Sequence, residues 1–591
     1  MDKRFVLFVV LSIAIMAVWM WLQPRPEPRR PPQPAVSEKT APTGEPVTPT
    51  PETATEADLP GEELAVEAVA AEYAETTTVE TAAMTVVLTN RGGRVVSWTL
   101  NDYTSRTGER LEMVPPHASE EGRLPLGLDL DDRDLAERIN HALFTIEREV
   151  VAGGDRVIYR WADGRGLEVT KTIDFRGEDY VVAVEADVID RGRRLPVRLA
   201  WGPGLQTNRL DEGGLRSYYF YNQIAVNVAG NVDREKGLED PIALAERQVL
   251  WAGIEDQYFA ALMIPLTDIS DFRAWPIEVT TSITGEDAEP TQVPMAAVSL
   301  PPEGVKVFAG PKDYRLLTGM GHDLGQAVWF SSIALFAWIA RLLHAALVWI
   351  HANMVANYGV AIIMTTLALR IVLFPLNQFS MVRMKKMQVE MGRIQPKMNA
   401  IKKKYSKKKD AESRVAMNNE LMALYKQEGV NPMGGVSGCL PLLAQFPILI
   451  GFYDMLLASV ELRGAPFVLW IDDLTLKDPA YVTPILMGIT MFLQQKMTQA
   501  KIGDPMQQRI MMMMPLIFTI MFLNLPSGLV LYWFTNNVLG IGQQWIVNKR
   551  LAAVGAAAEK GSGGKTDGTQ PKAKQGKKPQ SKKRQDKKVH G

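Results

Sequence analysis

The sequence predicts a polytopic α-helical membrane protein with six spans and a large all-β sandwich domain outside the cytoplasm. Apolar segments close to the length that crosses a bilayer recur through the second half of the chain. Short segments that alternate apolar and polar residues fill residues 76–320. Charge is sorted as well, because residues 23–330 carry 51 acidic and 30 basic groups, whereas residues 381–432 carry 13 basic and 5 acidic groups. The positive-inside rule therefore places residues 381–432 in the cytoplasm.

Residues 1–23 are predicted to form an uncleaved transmembrane anchor. Residues 5–22 are apolar apart from one serine and follow two basic residues, which is the layout of a secretory signal. No small-x-small cleavage motif follows, although a cleaved signal remains the alternative. Residues 24–75 are rich in Pro, Thr, Ala and Glu and hold few apolar residues, so we expect a disordered tether.

Residues 76–320 are predicted to form an antiparallel β sandwich. The segments there are rich in β-branched and aromatic residues, and most are bounded by Gly, Asp or Asn. Their alternation puts one face of each strand toward a core. The clearest predicted strands are 84–90, 94–100, 156–161, 167–175, 179–188 and 196–202.

Residues 324–353 are predicted to form an amphipathic helix that lies in the membrane interface. Arg341, His344 and His351 share one helical face, opposite a face of Leu, Ala and Trp. If this segment crossed the membrane, the basic residues 381–432 would lie outside, against the positive-inside rule.

Residues 354–548 form the predicted membrane core. Its first span, residues 356–378, contains Arg370 and is expected to end at Pro375. The other predicted spans are 439–459, 481–497, 510–525 and 528–547. The loop 460–480 is net acidic and the loop 498–509 is net basic, so both agree with a six-span topology that has both chain ends in the cytoplasm.

A cytoplasmic helical hairpin is predicted over residues 381–430. Pro396 is expected to bend its first helix, and the basic run 402–409 lies at its tip. The tip could dock on anionic lipid, RNA or an acidic partner, or it could be merely solvated. A heptad seam is predicted at Met384, Met387, Met391, Ile394, Met398 and Ile401, facing a stripe of Met417, Leu421 and Leu424.

The tail, residues 549–591, has 13 basic and 3 acidic groups and no apolar pattern, so it is predicted to be disordered and polycationic. Such a tail could bind ribosomal RNA through its phosphates. Weak association with anionic lipid is the alternative.

Arg370 lies inside an apolar span, where a charge costs roughly 2.5–3.5 kcal/mol on insertion scales. Thr366 is one helical turn away, and Gln445 lies at a comparable depth on the next span. No acid is expected nearby, because Asp454 falls in the outer half of its span. Two readings remain open: a wet cavity that opens to the cytoplasm, or simple snorkelling of Arg370 to the interface. The last span adds amide side chains at Asn536, Asn537, Gln543 and Gln544.

Three stretches carry a resemblance to a known family: YGVAIIMTTLALRIVLFPLNQFS from residue 358, CLPLLAQFPILIGFYDMLLASVELRGAPFVLWIDDL from residue 439, and DPMQQRIMMMMPLIFTIMFLNLPSGLVLYW from residue 504. With them the chain resembles the YidC/Oxa/Alb family of membrane protein insertases. An amino-terminal anchor and a large periplasmic all-β sandwich domain are the Gram-negative arrangement of that family.

The resemblance implies an insertase and chaperone of the cell inner membrane that works alone or with the Sec translocon. It implies no enzymatic activity, no cofactor and no metal. The implied partners are nascent membrane proteins, Sec translocon components, anionic lipid, and the ribosome, which would bind through the basic tail and the cytoplasmic loops. No DNA is expected.

The resemblance also implies two sets of substrate-binding residues in this sequence. One set lines a hydrophilic groove that is open to the cytoplasm and to lipid: Arg370, Thr366, Gln445, Tyr532 and Trp533. The other set forms an apolar slide for substrate spans: Leu440, Phe446, Phe452, Met514 and Phe518.

Two departures from the family pattern stand out. Val436, Ser437 and Gly438 read as an insertion before the third span, and Asp454 stands where an aromatic residue is more usual. Two rival functions remain, a polytopic lipid or solute transporter and a sugar-binding sensor. The absence of an acid cluster or proton-relay pair inside the spans disfavours the transporter.

Overall fold

The computed structural model describes residues 67–105, 108–120, 122–177, 179–206, 222–280, 290–406, 410–429, 440–498 and 505–562. The predicted anchor, most of the predicted tether, the tail from residue 563 and the proposed insertion at Val436, Ser437 and Gly438 lie outside these residues. The predictions for those segments therefore stay predictions.

Nineteen strands fill the β domain, the name used here for the described part of residues 76–320. Several alternate more and less buried residues, because one face meets a core, as in Met84–Thr89 and Leu167–Asp174, whereas Phe259–Pro265 is buried along its whole length. The strands are β1 Thr76–Glu80, β2 Met84–Thr89, β3 Arg94–Thr104, β4 Arg110–Glu112, β5 Gly127–Asp129, β6 Thr145–Val151, β7 Gly154–Ala162, β8 Leu167–Asp174, β9 Val181–Asp190, β10 Arg193–Arg194, β11 Arg198–Trp201, β12 Gln223–Val228, β13 Asn231–Lys236, β14 Ile242–Arg247, β15 Val249–Glu255, β16 Phe259–Pro265, β17 Ser270–Thr280, β18 Pro290–Ser299 and β19 Val305–Pro311.

These strands form three sheets, and the paired neighbours within them are antiparallel. The first sheet has the order β1-β2-β3-β4, and the third has the order β14-β17-β18-β11-β5. The second is a ten-stranded sheet with the order β13-β12-β15-β16-β19-β9-β8-β7-β6, in which β10 also pairs with β9. The six predicted strands all fall on observed ones. The prediction of antiparallel β structure is confirmed.

The core of the β domain lies between these sheets. Strand β15 of the ten-stranded sheet packs against β17 and β18 of the five-stranded sheet. Trp98 on β3 meets Trp201 on β11 edge to face, with ring centroids 5.6 Å apart, and both side chains are fully buried. Such edge-to-face pairs add to the stabilisation from area burial, so the four-stranded sheet joins the same core.

Ten helices are described. Three are short and belong to the β domain and its exit: α1 His117–Glu120, α2 Arg133–His141 and α3 Tyr314–Gly319. The remaining helices are α4 Ala334–Asn353, α5 Tyr358–Tyr405, α6 Ala411–Gln427, α7 Leu440–Ala458, α8 Val482–Thr498, α9 Pro505–Phe522 and α10 Ser527–Ser562.

Two helix boundaries correct the sequence-based expectations. Helix α5 continues through both Pro375 and Pro396, so Pro375 does not end the span. Each proline removes one backbone donor, but the rest of a long helix keeps its hydrogen bonds. Helix α10 continues to Ser562, so the expected disorder from residue 549 does not apply to residues 549–562. A run of alanines there favours helix.

The predicted hairpin seam is present where the side chains are described. Ile394, Met398 and Leu424 are buried together. Glu428 pairs with Arg393 and Lys397 across the two helices, and Lys404 pairs with Glu420. These ion pairs are exposed and contribute little each, so apolar packing holds α5 against α6. Met391, Ile401, Leu421 and Tyr425 pack around this centre.

The chain divides into two compact units. The first holds the described residues within Met1–Thr365, Leu443–Tyr481 and Leu523–Leu531, and the second holds those within Thr366–Leu442, Val482–Phe522 and Tyr532–Gly591. The β domain therefore shares a unit with the first turns of α5, with most of α7 and with the loop after it. Within that unit Gln257 Nε2 donates to Leu457 O at 2.8 Å, and Arg463 Nη1 donates to Thr104 O at 3.0 Å.

Two described helix segments are long and apolar enough to cross a membrane, Ala334–Asn353 and Tyr358–Arg383. The count of six spans stays a prediction. The predicted polar face of α4 is wrong at His344, which is buried and lies against Phe330. Its Nε2 donates to Glu461 Oε1 at 2.9 Å. The exposed side of α4 is mostly apolar and carries Leu335, Trp338, Leu342 and Trp349, with Arg341 as an exposed charge.

Candidate functional site around Arg370

Arg370 lies in the apolar part of α5, within Tyr358–Arg383. Its guanidinium points toward α10. Nη2 donates to the backbone O of Asn536 at 2.8 Å, and Nη1 donates to Oε1 of Gln543 at 3.5 Å. Arg370 is thus held in place by a carbonyl and an amide, which are neutral acceptors.

Polar side chains are buried around this arginine on both helices. Thr366 on α5 is 1% exposed, and Gln543 on α10 is 7% exposed. Asn537 is 3% exposed and its Nδ2 donates to Met487 O at 3.4 Å, which draws α8 into the site. Because buried polar groups cost free energy unless they are hydrogen-bonded, this concentration marks a site and not ordinary lipid-facing packing.

Two donors in this site have no hydrogen-bond partner among the described residues, Arg370 Nε and Gln543 Nε2. No carboxylate in the described part of the chain forms a salt bridge with Arg370. The site therefore offers positive charge and free N–H groups together. Such a site is chemically suited to an acceptor group such as a carboxylate or a carbonyl.

Gly540 on α10 is a further position of the candidate site, which the sequence analysis did not single out. A Cβ there would lie 2.5 Å from Gln494 Nε2 and 2.8 Å from Arg370 Nη2. The missing side chain lets Arg370 and Gln494 approach the helix closely. A glycine inside a helix costs stability relative to alanine, and this cost was the available signal.

Four members of the predicted groove set lie in the same compact unit: Arg370, Thr366, Tyr532 and Trp533. Tyr532 is buried, and Trp533 packs edge to face on Phe522 with centroids 5.0 Å apart. Gln445 belongs to the other unit, and its side chain lies outside the described part of the chain.

The predicted slide residues differ from one another in exposure. Met514 on α9 is 41% exposed and Phe446 on α7 is 49% exposed, whereas Phe452 is fully buried. Phe452 thus offers no surface to a substrate in this structure. Phe518 packs beside Trp533 with ring centroids 6.1 Å apart, so a slide residue and a groove residue share one aromatic cluster. The side chain of Leu440 lies outside the described residues.

Two family models match the chain in succession. Residues 76–346 match the YidC periplasmic domain, and residues 349–554 match the 60Kd inner membrane protein. The boundary between the two models falls in the second half of α4, which follows the β-rich part of the chain and precedes α5.

Curated relatives match nearly the whole chain. "Membrane protein insertase YidC" of Syntrophus aciditrophicus is 35% identical, over 93% of this chain and 100% of that protein. The protein of the same name from Citrifermentans bemidjiense is 34% identical with the same coverage, and that of Geobacter sulfurreducens is 38% identical over 67% of this chain and 71% of its own. A solved structure, "Active YidC insertase crystal structure with the first transmembrane domain resolved", is 18% identical, with a TM-score of 0.34 over 81% of this chain and 93% of that chain.

The fold and the two matching regions define a class of inner-membrane protein, in which a helical membrane region carries a periplasmic β-rich domain. Sequence relatives at this identity and coverage decide the family. The chain belongs to the YidC family.

Proposed function

We propose that this protein is an insertase and chaperone that inserts and folds integral inner-membrane proteins, alone or with the Sec translocon. The observation that carries the proposal is the partly buried Arg370, which, among the described residues, hydrogen-bonds to two neutral acceptors and has an unpaired Nε–H. The names of the relatives support the same activity.

Arg370 would attract the polar or acidic segment of a substrate that must cross the membrane. A partly buried arginine without a carboxylate partner loses some of its hydration, and an incoming acidic group offsets that desolvation cost. Arginine also binds carboxylates through two parallel N–H groups, which favours acidic tails over neutral ones. The counter-ion of Arg370 would thus arrive with the substrate and leave with it.

The substrate's own span would supply the driving force. Exposed apolar side chains cover one side of α9, among them Met513, Ile517 and Ile520. An apolar substrate span that slides along such a surface passes from water into lipid, and its burial is favourable. No nucleotide hydrolysis is required for this step.

Further partners are proposed on the basis of charge. The basic hairpin tip and the basic tail would bind ribosomal RNA, with anionic lipid as a competing surface. Sec translocon components are proposed as partners because of the family resemblance.

The first prediction tests Arg370. In a strain depleted of its own insertase, Arg370→Ala should slow insertion of single-span substrates with acidic amino-terminal tails by several-fold. Substrates with neutral tails should be affected much less, because only the acidic tail loses an ion pair. Protease accessibility of the amino-terminal tail in pulse-labelled cells measures the insertion rate of each kind of substrate.

Two controls sharpen this test. Arg370→Lys keeps the charge and should retain much of the insertion activity. Arg341→Ala removes an exposed arginine on α4 and should not change the insertion rate of either substrate. Equal loss for acidic and neutral tails in Arg370→Ala would refute the proposed role of the charge.

A further inference from the structure

The loop between α7 and α8 presents an exposed apolar tip, defined here as residues 468–470. Leu469 is 82% exposed, Val468 is 50% exposed and Trp470 is 37% exposed. Three successive apolar residues with this exposure are unusual on a surface that faces water.

The tip is held on a rigid base. Phe467 N donates to Ile471 O at 2.9 Å, which closes a tight turn around the tip. Ile471 and Leu474 are 3% and 1% exposed and anchor the loop below it. The tip is therefore displayed by an ordered scaffold.

The backbone and the indole of the tip are both arranged for outward display. Leu469 has a φ of 57°, a left-handed conformation that is uncommon for leucine. The Trp470 indole N–H donates to Asp478 Oδ1 at 2.8 Å. Its polar group is satisfied within the loop, so the rest of the ring is free to contact an apolar medium, as tryptophan does at membrane interfaces.

Contacts with α5 establish the depth of the tip. Asn357 Nδ2, one residue before α5, donates to Phe467 O at 3.0 Å. The ring of Phe467 lies where a Cβ of Gly359 would be. Because the apolar segment of α5 begins at Tyr358, the tip lies beside the first turn of a helix that can cross a membrane. That is the level at which headgroups meet hydrocarbon.

Contacts within the same compact unit show on which side of the membrane the tip lies. Arg463, in the same loop, donates to Thr104 O of the β domain and lies over the ring of Phe259 at 5.2 Å. The tip therefore lies on the β-domain side. Asp472 beside it is exposed, which suits a shallow position where a carboxylate remains among headgroups and water.

We propose that residues 468–470 are a lipid anchor, which inserts Leu469 and Val468 into the leaflet on the side of the β domain. The partner is the acyl-chain boundary of the bilayer itself. No anionic headgroup is required, because the tip is apolar and its exposed neighbour, Asp472, is acidic.

The test uses site-directed spin labelling of the full chain in phosphatidylcholine nanodiscs. Cys439 is the only cysteine, so Cys439→Ser provides a clean background for Leu469→Cys. The matched control is Val150→Cys, which replaces an apolar β6 residue that is 86% exposed. The nitroxide is probed with oxygen, which enters lipid, and with a water-soluble nickel chelate, which does not.

We expect the Leu469 label to be several-fold more accessible to oxygen relative to nickel than the Val150 label. The same ratio should hold when anionic lipid is added, and Val468→Cys should repeat the result. Nickel accessibility equal to that of the Val150 label would overturn the proposal. Protection from both reagents would also overturn it, because the tip would then be covered by protein.

Discussion

At the scale of single residues, the candidate site depends on a charged residue, Arg370, and on a glycine, Gly540, that lies beside it. Arg370 reaches the backbone of α10 because Gly540 leaves room for it beside Gln494. The ends of both side chains are flexible, so an added methyl group would displace them and not break the helix. The position of the Arg370 guanidinium therefore depends on the absence of a side chain at Gly540.

The second prediction concerns Gly540. Gly540→Ala should displace Arg370 Nη2 from Asn536 O and slow the insertion of acidic-tailed substrates, though less than Arg370→Ala. Gly542→Ala is the matched control, because a Cβ at that position meets nothing within 4 Å. If both variants insert acidic-tailed substrates at the same rate, with equal protein levels, the packing argument is wrong.

The third prediction concerns Lys171 on β8, which is fully buried and donates to the backbone O of Leu126 and of Gly92. Burial, and then the nearby Arg94, lowers the pKa of Lys171 from 10.5 to about 7. Between these values the unfolded chain binds a proton that the folded chain lacks. The free energy of unfolding should therefore rise with pH across this window, by up to about 1.4 kcal/mol per pH unit, and level off below it.

Hydrogen exchange of the β8 amides in the full chain, corrected for intrinsic rates, measures this slope. Lys171→Met should remove the contribution of Lys171 and reduce the slope. Lys306→Met, at an exposed position on β19, should leave it unchanged. A slope that is identical in the wild type and Lys171→Met would contradict the predicted effect of burial.

At the scale of elements, the membrane helices pack closely at small residues. A Cβ on Gly488 of α8 would overlap the side chain of Thr519 on α9. The hydroxyl of Thr519 donates to Pro515 O at 2.7 Å, so it cannot move away freely. Small residues that allow close backbone approach are a common basis of helix association in membranes.

The fourth prediction follows from that packing. Gly488→Ala should destabilise the α8–α9 pair and lower the midpoint of thermal unfolding in detergent. Gly392→Ala, on α5 where a Cβ meets nothing within 4 Å, should be neutral or stabilising by roughly 0.5–1 kcal/mol, because alanine favours helix. Equal midpoints for the two variants would show that the α8–α9 contact is not close.

At the scale of the whole molecule, charge is divided between the two ends of the chain. Acidic groups dominate residues 23–330 and basic groups dominate residues 549–591. The matches to a periplasmic domain and to an inner-membrane protein fall in the same order along the chain. By the positive-inside rule this division of charge predicts a cytoplasmic tail, on the side of the membrane where its proposed partner, the ribosome, is found.

The fifth prediction concerns the tail. Deletion of residues 555–591 should lower co-sedimentation with ribosomes at low salt, and the difference should shrink as salt rises, because phosphate contacts are screened. Replacement of the tail lysines by glutamine is the control for chain length and should reproduce the loss. Unchanged co-sedimentation of both variants would refute the tail assignment.

Several features could be predicted from the sequence because they depend on local patterns. Alternation of apolar residues located six of the strands between Met84 and Trp201, and apolar runs located α7, α8 and α9 within a few residues. The position of Arg370 in an apolar run also indicated that polar groups or water must surround its charge.

Other features were decided only by the tertiary structure, because they depend on contacts between segments far apart in the sequence. Pro375 was expected to end its span, yet α5 continues through it. His344 read as part of a polar face and instead lies buried against Glu461, while Phe452 read as a slide residue and is enclosed. Gly540 carried no signal beyond a helix penalty, because its role is the space that it leaves for Arg370. The sequence by itself determined which segments are apolar and where the costly charge lies, and only three-dimensional packing decided which groups surround that charge.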